Sequence, residues 1–342
     1  MTTLAEYKYL GNDAEVRMGI AKAISKVSPW LRDLPFNELA NNNISRYKMY
    51  TSYGGASAHE VGDDWVTINP EWSYREAPLM IIGDNIAIDK FGDFASGKED
   101  AVAAMIEGKS EGVGETFDKL AVYGRTTATG VLSSSKNLKG LLRMIAETES
   151  DTTTDLDGWL YTGNDGAANN KQAVFGASGA SVALSLAMLD ALISAVRPKA
   201  SHLVMSRLML RKLNGLAQAA GNNLEHDKSV LGYPVTRFGE QIVLIDDQIQ
   251  DNMPDSSALV TDIASYDYTK TIVTGYDTSP IFAVNMSESG LCGINGEGMI
   301  QVEPLGTLEG KDATGYRVKF YCGMRLTNAR AAAVLLNTNY SG

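Results

Sequence analysis

The side chains that most often do chemistry are few in this chain, and they are scattered. Its three histidines, His59, His202 and His226, stand in separate segments, without the HExxH pair or close spacing that lets two imidazoles share a metal ion. No GxSxG elbow exposes a serine nucleophile, and neither Cys292 nor Cys322 has a CxxC partner or a histidine close in sequence. Carboxylates cluster at Asp63-Asp64, at Asp151, Asp155 and Asp157, and at Asp246-Asp247. Asp155-Leu-Asp157-Gly158 resembles the opening of a calcium loop but lacks the third ligand and the terminal Glu, so solvated turns are the leading interpretation. Gly176-Ala-Ser-Gly179 precedes a helical stretch as an anion-binding turn does, yet it lacks the P-loop lysine and its spacing and reads as a joint. Gly290-Leu-Cys-Gly293-Ile-Asn-Gly296-Glu-Gly298 does not match GxGxxG, no helix follows it, and it reads as a turn between strands. The remaining catalytic arrangement is a site assembled from distant residues, such as His202 with Asp246 or Asp247. No catalytic, cofactor-binding or metal-binding motif is present, so the expectation is a structural protein without a cofactor and not an enzyme.

Composition narrows the partners. Of 342 residues 44% are hydrophobic, ample for a core, and the formal charge of -11 argues against a nucleic-acid reader, which needs a basic patch or stripe. An acidic surface keeps a self-associating protein soluble and tolerates packed DNA without gripping it. The Arg and Lys residues, including Arg207, Arg211 and Lys212, form no nucleic-acid motif. The first residues, MTTLAEYKYLGNDAE, lack a basic region followed by an apolar run, and no apolar stretch is long enough to cross a bilayer, so no membrane partner is expected. The two cysteines read as buried free thiols, with a single disulfide as the alternative.

Periodicity supplies the elements. Asn12 and Glu15 in capping-box spacing precede Val16, Ile20, Ala23, Ile24 and Val27, a helix that Ser28-Pro29 should end. Ile44 to Tyr50 alternates as a strand, and Trp65 to Leu79 is again extended, with Pro70 and Pro78 limiting its pairing to an edge. The pair suggests a two-stranded excursion that leans on another surface. Ser96 to Tyr123 is a long amphipathic helix. Val102, Met105, Ile106, Val113, Phe117 and Leu120 line one stripe, with Asp100, Glu107, Glu111 and Asp118 opposite. About 24 residues at about 1.5 Å each make a rod of roughly 36 Å. Gly108, Gly112 and Gly114 load that rod with helix-weakening positions. Leu138 to Ile145 is a short apolar element, and Glu147 to Lys171 is a polar loop. Val182 to Val196 reads as a mostly buried helix, His202 to Met205 as a strand, and Ser206 as the N-cap of a helix ending at Gly221. Strands follow at Ile242–Ile245, Lys270–Thr274, Ile281–Val284, Met299–Val302 and Tyr316–Cys322, before a small-residue apolar segment from Ala329 to Leu336.

The order of these elements resembles a tailed-phage major capsid protein of the Hong Kong 97 type. The resemblance is carried by Leu31-Arg-Asp-Leu-Pro-Phe36 entering the extended excursion, the long helix, and HLVMSRLMLRKLNGLA followed by GYPVTRFGEQIVLIDD. It implies an α+β fold with an N-terminal arm (1–45), an extended β-ribbon loop (46–86) and a peripheral domain with a long spine helix (87–175). An axial domain with a mixed sheet and helices (176–315) and returning peripheral strands (316–342) complete it. It further implies self-assembly into hexamers and pentamers of an icosahedral bacteriophage head enclosing double-stranded DNA without sequence-specific binding. The location is then the virion, assembled in the host cytoplasm. A separate scaffolding protein, a portal and decoration proteins are the expected partners, because the arm starts at Met1 with no room for a scaffolding region. In such shells the extended loop crosses a neighbouring subunit, which makes Arg46, Trp65, Trp72 and Arg75 the inter-subunit contact candidates and Gly108, Gly112 and Gly114 the flexible points of the spine helix. Lys48 is the lone lysine of the ribbon, no local pattern supplies an Asn partner, and cross-linking is not expected. The alternative within the same fold is an encapsulin-like compartment shell; an enzyme is the third.

Overall fold

The computed structural model describes residues 27–39, 43–52, 56–65, 67, 69–90, 101–124, 138–149, 173–175, 182–221, 225–228, 234–251, 277–308, 310–336 and 338–341. The helix expected upstream of Ser28 falls almost wholly outside this set, as do the expected 270–274 strand, the Gly176–Gly179 joint and the Asp151–Asp157 loop. Val27 is helical and Ser28 is not, so Ser28 ends that helix as expected and also begins the next one. Its Oγ accepts the Leu31 amide at 3.1 Å and Pro29 takes the first helical position, so α1 (Pro29–Asp33) starts on a capped, proline-fixed turn.

Two main sheets follow. The first has the order β1-β12-β13-β4, made of β1 (Phe36–Glu38), β4 (Met80–Asp89), β12 (Leu291–Thr307) and β13 (Ala313–Leu326). The spine helix α2 (Ala101–Tyr123) packs on its inner face, where Ile82, Ile86, Ile88, Val318 and Phe320 meet Ile106, Val113, Phe117 and Leu120. Phe36, Phe117 and Phe320 form a triangle with centroids 5.6 to 6.4 Å apart, locking the N-terminal segment, the helix and the sheet together. This triangle explains the glycines near 293. A Cβ on Gly293 would lie 2.4 Å from the Phe36 ring, and one on Gly296 would lie 3.0 Å from Tyr321 Cβ. The stretch expected as a turn is therefore strand from Leu291 onward, interrupted by a register shift between Asn295 and Ile300.

The second sheet has the order β5-β14-β11-β7-β10-β9-β8. Its strands are β5 (Ala173–Phe175), β7 (His202–Met205), β8 (Glu225–Lys228), β9 (Pro234–Phe238), β10 (Gln241–Ile245), β11 (Ile281–Val284) and β14 (Ala332–Leu336). Helices α4 (Leu186–Ala195) and α5 (Arg207–Ala219) cover one face. There Leu203, Met205, Ile281, Ala283 and Leu335 pack with Leu189, Met209 and Leu213. The alternate residues Val204, Phe282, Val284, Val334 and Leu336 turn to the other face and join the core of the first sheet. One continuous core thus runs under both sheets, with both faces of β7, β11 and β14 buried. The two small sheets pair β2 (Ile44–Ser52) with β3 (Glu71–Pro78), and β6 (Val182–Ala183) with β15 (Thr338–Asn339). Cys292 and Cys322 are both free and buried.

The spine helix departs from its helical-wheel expectation twice. Met105, placed on the buried stripe, is 48% exposed, and Asp118, placed on the solvent face, is 1% exposed. Beyond Tyr123 the chain doubles back on a pinch of two glycines before α3 (Leu141–Glu149), with Gly140 N–H donating to Gly124 O at 2.8 Å. A Cβ on Gly140 would lie 2.5 Å from Gly124 N, whereas one on Gly108 or Gly112 meets nothing within 4 Å. Gly140→Ala is therefore expected to lower stability by about 1–3 kcal/mol. Gly108→Ala and Gly112→Ala should each raise it by up to about 1 kcal/mol. Thermal unfolding midpoints of the three variants check the opposite signs.

Candidate functional site

The ribbon formed by β2 and β3 has two unlike faces. Its register places Arg46 opposite Glu76, Lys48 opposite Tyr74 and Tyr47 opposite Arg75. Ser45, Met49 and Ala77 are buried against the body, where Arg325 donates to Ser45 Oγ at 3.3 Å. The opposite face carries Arg46, Lys48, Trp72, Tyr74 and Glu76, all exposed. Lys48 Nζ sits 5.1 Å from the Trp72 ring and 5.7 Å from the Tyr74 ring, so the ammonium and two aromatic faces form one patch. Arg46 Nε pairs with Glu76 Oε1 at 2.8 Å. Beyond the strands, Trp65 is 83% exposed and stacks on His59 at a centroid distance of 4.5 Å.

Of the four contact candidates, Arg46, Trp65 and Trp72 thus stand on exposed surface, while Arg75 is half-buried on the inner face beside Tyr47. Alternation alone could not separate Arg46 from Arg75; only the cross-strand register does. Sequence reasoning missed Tyr74 and Val61, both exposed. Period-two spacing from Trp72 pointed to Tyr74 all along.

The distant pair His202 and Asp246 is not brought together. In the parallel register His202 pairs with Ile242, so Asp246 lies about four residues further along, roughly 13 Å away. His202 is buried beside Ser201, its Nδ1 2.7 Å from Ser201 Oγ, and burial pushes its pKa down to about 4, leaving a neutral ring. Asp247 faces outward and holds Arg207 through bonds of 3.0 and 2.5 Å.

Asp246 instead belongs to a buried joint between α1, the spine helix and the end of β10. Its Oδ2 accepts the Trp30 indole N–H at 2.8 Å and its Oδ1 accepts the Gln248 amide at 2.8 Å. Two residues before Trp30, Ser28 Oγ hydrogen-bonds Asp118 Oδ1 of the spine helix. Burial raises the pKa of Asp118 well above the usual carboxylate range, and Asp246 and Glu115 push it further, against the Ser28 bond. Asp246 is raised as well, by burial first and by Asp247 last, against its bonds from Gln248 and Trp30. One short segment of α1 and its cap therefore ties the spine helix to the end of β10 through two carboxyl groups.

No protein-family model and no curated protein matches the sequence, but the architecture has close counterparts. The chain aligns over 100% of its length with 97% of the SrpI encapsulin from Synechococcus elongatus PCC 7942, at 14% identity and a TM-score of 0.61. The capsid of the native GTA particle aligns at 13% identity over 95% of this chain and 91% of that one, TM-score 0.56. Mycobacterium phage Bobi aligns at 12% identity over 92% of this chain and 91% of that one, TM-score 0.54. The spine helix on its four-stranded sheet, the second sheet with its helices and the projecting ribbon make up the Hong Kong 97 type capsid fold. This chain has that fold.

The joint makes a pH prediction. A carboxyl whose folded pKa is raised contributes stability that is fully present below its unfolded value near about 4 and is lost as pH rises through the folded value. Asp118→Asn keeps the volume and the bond to Ser28 without the ionisation. The variant should therefore gain on the wild type as pH rises from about 5 to about 9. Parallel melting profiles across that range would contradict the assignment.

Proposed function

We propose that this chain is the coat subunit of a closed icosahedral shell, self-assembling into hexamers and pentamers. The observation that carries this reading is the exposed aromatic face and tip of the ribbon, Trp65, Trp72 and Tyr74, on a subunit of this fold. Large aromatic residues left in water beside cations are typical of the buried centre of an interface, where they contribute most of the binding energy. Arg46, Trp65, Trp72 and Arg75 are the proposed contacts, with Arg75 reached from the ribbon's underside. The spine glycines Gly108, Gly112 and Gly114 are proposed to let the rod bend between precursor and mature shells.

The favoured version is a tailed-phage head enclosing double-stranded DNA, built with a separate scaffolding protein and a portal. A compartment shell is the second reading, supported by the full-length likeness to an encapsulin. Electron microscopy of the purified protein, with and without candidate scaffold, should show capsomers, shells or tubes. A protein that stays monomeric throughout defeats both versions. Particles recovered from the native source and filled with double-stranded DNA favour the phage head, and particles filled with protein favour the compartment. Trp72→Ala should weaken assembly about tenfold or more while leaving the melting temperature of the monomer unchanged. Replacing Gly108, Gly112 and Gly114 together with Ala should leave assembly of the precursor intact and slow its expansion.

A further inference from the structure

A cavity of about 280 Å³ lies in the seam between the ribbon and the body. Strands β2 and β3 make one wall of it. The other wall comes from the end of β13 and from the chain entering α3. Its buried lining is apolar, made of Met49, Ala77, Leu138, Met144, Met324 and Leu326. Its rim is polar, made of Tyr47, Arg75, Glu76 and Lys139, none of them buried. Arg325, which stands between Met324 and Leu326, ties the body to the ribbon through Ser45 Oγ at 3.3 Å. The ribbon is thus held over the cavity without filling it.

The lining selects its occupant. Side chains that face an empty space forgo dispersion contacts that a filling group restores, and an apolar cavity is a poor host for water. Met49, Met144 and Met324 are half of the buried lining, and unbranched, polarizable side chains of this kind adapt to a flexible chain. At the rim, Arg75 and Lys139 add cations. Among the described lining residues the one carboxylate is Glu76, which already accepts Arg46 Nε at 2.8 Å. An unbranched alkyl chain that ends in a carboxylate satisfies both parts, since a charge-assisted hydrogen bond is the strong kind. The volume is at the small end of ligand cavities, which excludes a two-chain membrane lipid and keeps the alkyl chain short.

We infer that this cavity binds a free short-chain fatty acid, with its alkyl chain among Met49, Met144 and Met324 and its carboxylate at Arg75 and Lys139. One wall belongs to the ribbon and the other to the body. An occupant therefore touches both, and it favours the ribbon seated on the body over any lifted position. The site is complete within one chain, so it does not depend on the shell reading.

Titration calorimetry of the full chain with octanoate tests the site, beside methyl octanoate, which keeps the alkyl chain and lacks the charge. The wild type should bind octanoate saturably, one per chain, and the ester about tenfold or more weakly. K139Q should lose about tenfold for octanoate and nothing for the ester. A77L fills the cavity and should bind neither; K139Q, whose side chain is not buried, carries the test should A77L fail to fold. With octanoate at about ten times its Kd, hydrogen exchange through lifting of β2 and β3 should slow about tenfold, while exchange in β8 and β9 stays the same. No saturable octanoate binding by the wild type, binding retained by A77L, or an octanoate affinity unaltered in K139Q overturns the site. Binding that leaves β2 and β3 exchange unaltered overturns the bridging.

Discussion

Two carboxyl groups buried at one junction hold the chain's parts in relation to each other. Asp118 comes from the C-terminal part of a long helix and Asp246 follows the end of a central strand, yet both are gripped by the short stretch around Ser28 and Trp30. An ionised carboxylate in such a place carries a desolvation cost, and burial raises the pKa of both groups accordingly. With Trp30 and Leu31 fully buried beside it, the short helix is seated by packing and by polar bonds together. The chain then leaves that seat in a fixed direction, into β1 and the phenylalanine triangle, and on to the base of the ribbon.

That fixed departure matters because the ribbon's stability is borrowed. A two-stranded ribbon is marginal alone. Here its inner face, Ser45, Met49 and Ala77, is anchored on the body, which frees the outer face to be polar and aromatic without collapsing. The same division explains why the candidate contacts do not all point one way. The surface ion pair Arg46–Glu76 on this face adds little stability, as does Lys109–Asp84 between the spine helix and β4.

Much of this was legible in the residues. Helix α5, strands β7, β10 and β11, and the two-stranded ribbon follow from apolar spacing and caps, because each is decided by neighbours close in sequence; the mostly buried helix expected from Val182 instead starts at Leu186, since Val182–Ala183 pair with β15, and only its Leu189 and Leu192 are buried. Asp118 was not legible, since a helical wheel sorts residues by type, and the hydroxyl that makes this one tolerable comes from 90 positions away. The glycines of β12 looked like a turn for a similar reason: the ring that requires Gly293 belongs to Phe36, far away in the chain. His202 and Asp246 looked like partners until strand register placed them at opposite ends of neighbouring strands. In each case the missing information was a long-range contact, which no local pattern encodes.

The placement of the last strands also governs timing. β13 lies between β12 and β4, and β14 lies between β5 and β11, so neither main sheet is continuous until the final few dozen residues are in place. A chain without β13 and β14 can form helices but cannot complete either layer, and long-range pairings of this kind are slow to form. The shared core and both sheets come into being only once these two strands have joined their neighbours.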